Sequence, residues 1–92
     1  MIRSFRHKGL KRLYEDEDSS KLRPDLVDRI VAILTLLDRA RTIEAMSNPS
    51  LRLHLLKGDL KGYWAVTVRA NWRIIFRFES GNAFDVDLVD YH

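Results

Sequence analysis

At 92 residues with 46% hydrophobic side chains and no cysteine, the chain is sized for one domain with one core, and a disulfide framework or thiolate metal site is excluded. The formal charge is +3, yet the run EDED at positions 15 to 18 holds four acids, and without them the rest sums to +7, a balance that suits a polyanionic partner such as nucleic acid. No continuous apolar run near the N-terminus serves as a signal-peptide core, and the most apolar segment, 26–37, carries Asp28 and Arg29 and falls short of the roughly 20 residues that span a bilayer, so a soluble cytoplasmic chain is expected.

Residues 2–5, IRSF, predict a short strand, and His7 to Tyr14 a short basic helix with Leu10, Leu13 and Tyr14 on one side. The polar stretch EDEDSSK then predicts a solvated connection. Pro24 suits a first helical turn, Asp25 and Asp28 complement the dipole there, and Leu26, Val27, Ile30, Ile33, Leu34 and Leu37 recur at helical spacing. This main helix ends near Arg39 to Arg41. TIEAM predicts one further turn before the loop SNPS, because the residue preceding Pro49 disfavours helical backbone.

From Leu51 the period changes to two: Leu51, Leu53 and Leu55 alternate with Arg52 and His54 until LKGDLKG interrupts. Trp64, Val66 and Val68 then share a face, as do Trp72, Ile74, Phe76 and Phe78, and, after the turn ESGN, Phe84, Val86 and Leu88. Helices followed by antiparallel strands make an α+β domain over residues 1–92. Cross-strand partners must share a face, so the expected register pairs Val68 with Trp72 around a three-residue loop, with Asn71 taking the left-handed conformation. The same logic pairs Phe76 with Val86 and Ile74 with Leu88, and sets Arg77 opposite Asp85. Arg73 falls between Thr67 and Val89.

Three arginines, Arg69, Arg73 and Arg77, thereby fall on the face opposite the apolar one, with Asp85, Asp87 and Tyr91. Arg77 is explained by an ion pair with Asp85. Arg73 lies mid-sheet with Arg69 across the hairpin tip and Tyr91 as a diagonal neighbour. Guanidinium groups offer fixed bidentate donors to phosphate oxygens. Cleaving RNA without a metal needs a base for the 2′-hydroxyl, cations for the developing charge and an acid for the leaving oxygen. His54, Lys57, Arg69, Arg73, Asp90, Tyr91 and His92 contain all three capabilities. Each also has a plain structural account: His54 as an exposed strand residue, Lys57 as a turn lysine, Asp90 to His92 as a frayed end. His7, His54 and His92 show no HxxxH or HxH spacing, although Asp90 and His92 could join His54 around a metal; no metal site is expected. Trp64 and Trp72 alternate with the core set and read as packing. A Ser/His/Asp triad and a phosphate-cradling glycine loop are both absent.

The stretch LHLLKGDLKGYWAVTVRANWRIIFRF, followed by the chain end VDYH, resembles the HigB toxins of the RelE/ParE superfamily, and the resemblance extends over essentially the whole chain. It implies a RelE-like (microbial-RNase-like) fold: a short N-terminal strand and two to three helices packed on a twisted, mainly antiparallel sheet that ends at the C-terminus. It further implies a cofactor-free toxin that cleaves mRNA in the A site of the 70S ribosome and is neutralised by a cognate HigA-like helix-turn-helix antitoxin. On matching positions, His54, Lys57, Arg73, Asp90, Tyr91 and His92 would be catalytic and Arg69 RNA-binding. Asp90 falls on the apolar parity and needs a bulge or strand end to join the others. ParE-type members share the fold but inhibit DNA gyrase; His54, Lys57, Arg73 and the terminal DYH favour the RNA-cleaving branch.

Overall fold

The structure, a computed structural model, describes residues 1–90. Helix α1 spans Lys8–Asp16, and α2 spans Pro24–Arg39. His7 opens α1 from extended backbone, and its Nδ1 accepts the Leu10 N–H at 3.2 Å, satisfying one of the donors that a helix start leaves unpaired. The acidic run is therefore only partly a loop: Glu15 and Asp16 finish α1, and Glu17 ends it in left-handed backbone with φ 56°. Asp18 turns the chain, accepting the Ser20 N–H at 2.9 Å, and that bond chiefly holds its carboxyl below the ordinary range.

Helix α2 begins at its proline as expected, and Leu26, Ile30, Ile33, Leu34 and Leu37 face inward as the spacing requires. Single 3-10 turns follow at Ile43–Met46, where one turn is expected, and at Pro49–Leu51.

Strands β1 (His54–Leu55), β2 (Trp64–Arg69), β3 (Trp72–Glu79) and β4 (Asn82–Asp90) form one antiparallel sheet in chain order. The segment IRSF runs parallel to β4 through two bridges, Ile2 with Ala83 and Phe5 with Val86. The core lies between the helices and one sheet face, where Val66, Ile74, Phe76 and Val86 meet Leu10, Ile30, Ile33 and Leu37. Each such side chain contributes about 1.5–3 kcal/mol on burial.

Two bulges displace the expected register. At the hairpin tip Thr67 pairs with Arg73, but Arg69, not Val68, pairs with Trp72, so β2 carries one extra residue. The loop is Ala70 and Asn71, and the left-handed residue is Ala70 with φ 51°. Inserting Val68 lets a two-residue turn keep both apolar sets on the core side, an outcome that simple alternation forbids. In β4, Ile74 pairs with Leu88 as expected, but Arg77 pairs with Phe84 instead of Asp85. The extra residue there is marked by Asp85 at φ 55°, whose N–H bonds to Ser4 Oγ at 2.8 Å. Consequently Ala83 enters the core and Phe84 moves under Arg77, its ring 5.5 Å from the guanidinium carbon. Asp85 still accepts from Arg77 Nε at 3.0 Å, and that bond leads the rise in the guanidinium's pKa.

The strand expected from Leu51 shrinks to two residues. Pro49–Leu51 is a 3-10 turn, and Arg52 follows in left-handed backbone with φ 50°. Leu51 is buried while Leu55 is 52% exposed at the sheet edge. Beyond it Leu56 folds onto the face opposite the helices and packs with Ala65 and Ile75, flanked by Leu60, Tyr63 and Val89. A small apolar cluster thus floors the arginine-bearing face.

Candidate active site

Pairing carries the site residues onto that open face row by row. His54 opposes Ala65, Ala65 opposes Ile75, and Ile75 opposes Asp87. In the next row Thr67 opposes Arg73 and Arg73 opposes Val89. Directly opposed residues share a face, so His54 and Arg73 stand on the same side, two strands apart and one row offset. From the usual strand spacing and rise, their Cα atoms are roughly 12 Å apart, a span that two inward-leaning side chains and one phosphodiester fill.

His54 sits exposed on the short edge strand, and its Nδ1 lies 3.1 Å from the Arg52 carbonyl oxygen. A carbonyl only accepts, so Nδ1 carries the proton and Nε2 is left as the acceptor in the neutral ring. Left-handed backbone at Arg52 precedes the strand on which His54 stands. Lys57 is exposed at the start of the Gly58–Leu60 turn, next to the Leu56 anchor that ties this loop to the apolar floor. The Leu56 N–H bonds to the Tyr63 carbonyl at 2.8 Å and closes the loop at its base.

Arg73 is half-buried, and its Nη1 donates to the carbonyls of Ala70 at 2.6 Å and Trp72 at 3.2 Å. These bonds fold the guanidinium toward the hairpin tip. Arg69 is separated from it: the Val68 bulge puts Arg69 in the row of Trp72, and its Nη1 approaches Asp25 Oδ2 at 3.9 Å beside helix α2. Asp25 also takes two bonds from Arg23, at 3.1 and 3.0 Å, and Arg23 stacks 5.8 Å over the Trp72 ring. The grouping of Arg69 with Arg73 by parity therefore gives way to a tip with one arginine on each side. Asp90 pairs with Trp72 and ends β4 on the same row as Arg69. Tyr91 and His92 lie outside the described residues.

Parity places Thr67 beside Arg73 but misses the Arg52 carbonyl that orients His54 and the Asp25 carboxylate that Arg69 approaches. Backbone carbonyls leave no trace in side-chain patterning, and Asp25 reads equally well as a dipole residue. Among the described residues no group of three or more His, Cys, Asp or Glu side chains is placed to hold a metal ion. None of their helices is long and apolar enough to cross a membrane.

A model of the HigB-like toxin family, described as the RelE-like toxin of type II toxin-antitoxin system HigB, matches residues 3–92. The chain is 48% identical over 92 residues, the full length of both, to the Endoribonuclease HigB of Proteus vulgaris. It is 30% identical over 90 residues to Toxin HigB-1 of Vibrio cholerae, covering 96% of this chain and 95% of that one. Among solved structures it superposes on YafQ from Escherichia coli with a TM-score of 0.67 at 16% identity, covering 98% of this chain and 91% of that one. The heterotetrameric YoeB–YefM toxin-antitoxin complex from Staphylococcus aureus gives 0.62 at 16% identity, covering 100% and 95%. At such identities the structures share the fold, two helices on a four-stranded antiparallel sheet.

Proposed function

Because the chain belongs to the HigB-like family of RelE-like toxins of type II toxin-antitoxin systems, we propose that it is an endoribonuclease that cuts mRNA on the ribosome and thereby stops translation. The observation that carries this reading is the open face itself, where His54 presents Nε2 as a proton acceptor and Arg73 stands two strands away over an apolar floor. His54 accepts the proton of the 2′-hydroxyl as that oxygen attacks phosphorus. Arg73 and Lys57 offset the charge that develops on the non-bridging oxygens. Arg69, turned to the other side of the tip, holds a neighbouring backbone phosphate. The chain end, Asp90 with Tyr91 and His92, supplies the proton to the leaving 5′-oxygen.

So shallow a face works when the ribosome orients the RNA in the A site, since positioning lowers a barrier by several kcal/mol, up to about 7–11 kcal/mol in well-oriented systems. The protein partner is an antitoxin, in keeping with the toxin-antitoxin family, and we propose a HigA-like helix-turn-helix protein acting in the cytoplasm.

Primer-extension mapping of a defined mRNA in a purified bacterial translation system tests the reading, with Arg73→Ala, a chain lacking His92, and a reaction without ribosomes in parallel. Cuts within the reading frame that need ribosomes and vanish with Arg73→Ala are expected. Intact mRNA beside a toxic wild-type protein would overturn it and direct attention to DNA supercoiling.

A further inference from the structure

Thr67 stands directly opposite Arg73 on β3, one row from the pairing of Ala65 with His54 on β1. Its Oγ1 is buried and has no hydrogen-bond partner among the described residues. A buried hydroxyl without a partner destabilises a fold, and nothing about a half-buried strand site requires one, since valine has the same shape and equal strand preference. The local rule is broken on the row that carries Arg73, between two of the proposed catalytic side chains.

The donors nearest by topology belong to Arg73. Its Nη1 is held on the Ala70 and Trp72 carbonyls, which draws the guanidinium along the strand toward the tip. To present Nη1 and Nη2 together to phosphate oxygens above the face, and so leave Nε directed along the sheet, the guanidinium must turn off the Ala70 oxygen. Side chains directly opposed on antiparallel strands have Cβ atoms about 4.5–5.5 Å apart, a separation that Nε of the turned side chain can close to reach Oγ1. The adjoining side chains Ala65, Ile75 and Val89 offer no polar atom.

We infer that Thr67 is a positioning residue for the cleavage: its hydroxyl oxygen accepts the Arg73 Nε–H when the guanidinium leaves the hairpin-tip carbonyls to hold the scissile phosphate. The inference rests on the role given to Arg73 above. Thr67 does not touch the RNA; it fixes the plane of the guanidinium that does.

Single-turnover cleavage on mRNA-programmed ribosomes separates rate at saturation from ribosome affinity, and thermal unfolding is followed alongside. Thr67→Val is expected to lower the saturating rate about tenfold or more, the usual worth of a hydrogen bond to a charged group, with affinity unchanged and Tm unchanged or raised. Thr67→Ser, which keeps the oxygen, retains most of the rate. In an Arg73→Lys background, where no Nε–H donor remains at that position, Thr67→Val has little further effect. A Thr67→Val protein that cleaves at the wild-type rate overturns the inference and leaves Arg73 in its role. So does a loss shared equally by Thr67→Ser, or one that persists undiminished in Arg73→Lys. Wild-type cleavage by Arg73→Ala would remove both readings.

Discussion

His54 Nδ1 lies 3.1 Å from the carbonyl oxygen of Arg52, a residue held in left-handed backbone with φ 50°. The contact fixes the ring through its own chain two residues upstream, so the tautomer is set before any substrate arrives. General acid–base groups contribute about 10²–10⁴ in rate, and His54→Ala is accordingly expected to slow ribosome-dependent cleavage by at least about a hundredfold. Because His54 is exposed, the same substitution changes stability by no more than about 0.5 kcal/mol in urea unfolding.

Tyr14 and Asp38 form the joint between the two helices and the chain start. The Tyr14 hydroxyl donates to Asp38 Oδ1 at 2.6 Å, and the Ile2 N–H donates to the same oxygen at 2.9 Å. The hydrogen bond to Asp38 leads the rise of the phenol's pKa, which is pushed up to about 12. Burial pushes the Asp38 carboxyl up, but the bonds from Tyr14 and Ile2 and the nearby N-terminal ammonium more than offset it and hold the group below its ordinary value. A raised phenol stabilises the fold below its unfolded value near 10 and loses that contribution as pH climbs toward 12. A lowered carboxyl stabilises at neutral pH and loses its contribution only as pH falls below the usual carboxylate range. Tyr14→Phe is expected to cost about 1 kcal/mol at pH 7, a modest loss because solvent screens the partly exposed phenol. Wild type should lose stability between about pH 10 and 12 while Tyr14→Phe stays comparatively flat there, as urea titrations at stepped pH would register.

The main helix and the core face of the central hairpin are legible because Pro24 and the spacing of Ile30, Ile33, Leu34 and Leu37 agree with each other, as do the alternations around Val66 and Ile74. The apolar floor of Leu56, Ala65 and Ile75 on the arginine face is not. Nor are the bulges at Val68 and Asp85, since each arises from contacts distant in sequence. Asp85 is gripped by Ser4, and the bulged Val68 offers its carbonyl to Arg29 on α2. Alternation also overran β1, where Pro49 and the left-handed Arg52 stop the pattern before Leu51 can join it. For the site, parity correctly anticipates Arg73 between Thr67 and Val89, and it misplaces Arg69 by the one residue that the bulge inserts.

Gly81 separates two costs that glycine substitutions usually mix. It has φ +77°, and a Cβ there would come within 3.2 Å of the Arg41 carbonyl oxygen, whereas Gly58, with φ +70°, would meet nothing within 4 Å. Left-handed backbone costs an ordinary residue about 1–2 kcal/mol at either position. Gly81→Ala is therefore expected to destabilise more than Gly58→Ala, the difference reporting the clash at the β3–β4 turn. Equal midpoints in urea for the two variants would show that Arg41 yields freely.

Arg29 anchors the hairpin that carries Arg69 and Arg73. From α2 its Nη2 donates to the Ser50 carbonyl at 3.0 Å and its Nε to the Val68 carbonyl at 3.4 Å, the second bond ending on the bulged residue itself. Arg29→Met keeps most of the packing volume and removes both donors, leaving the two carbonyls without this partner. The expected loss is about 1 kcal/mol, and it should not spread evenly over the fold. Core amides such as Val66 and Ile74 exchange only as far as global stability falls, while amides near Arg69 and Trp72 exchange faster than that fall explains. Native-state hydrogen exchange distinguishes the two patterns. Uniform acceleration would make Arg29 a general brace; acceleration confined to the tip would tie helix α2 directly to the geometry of the arginine pair.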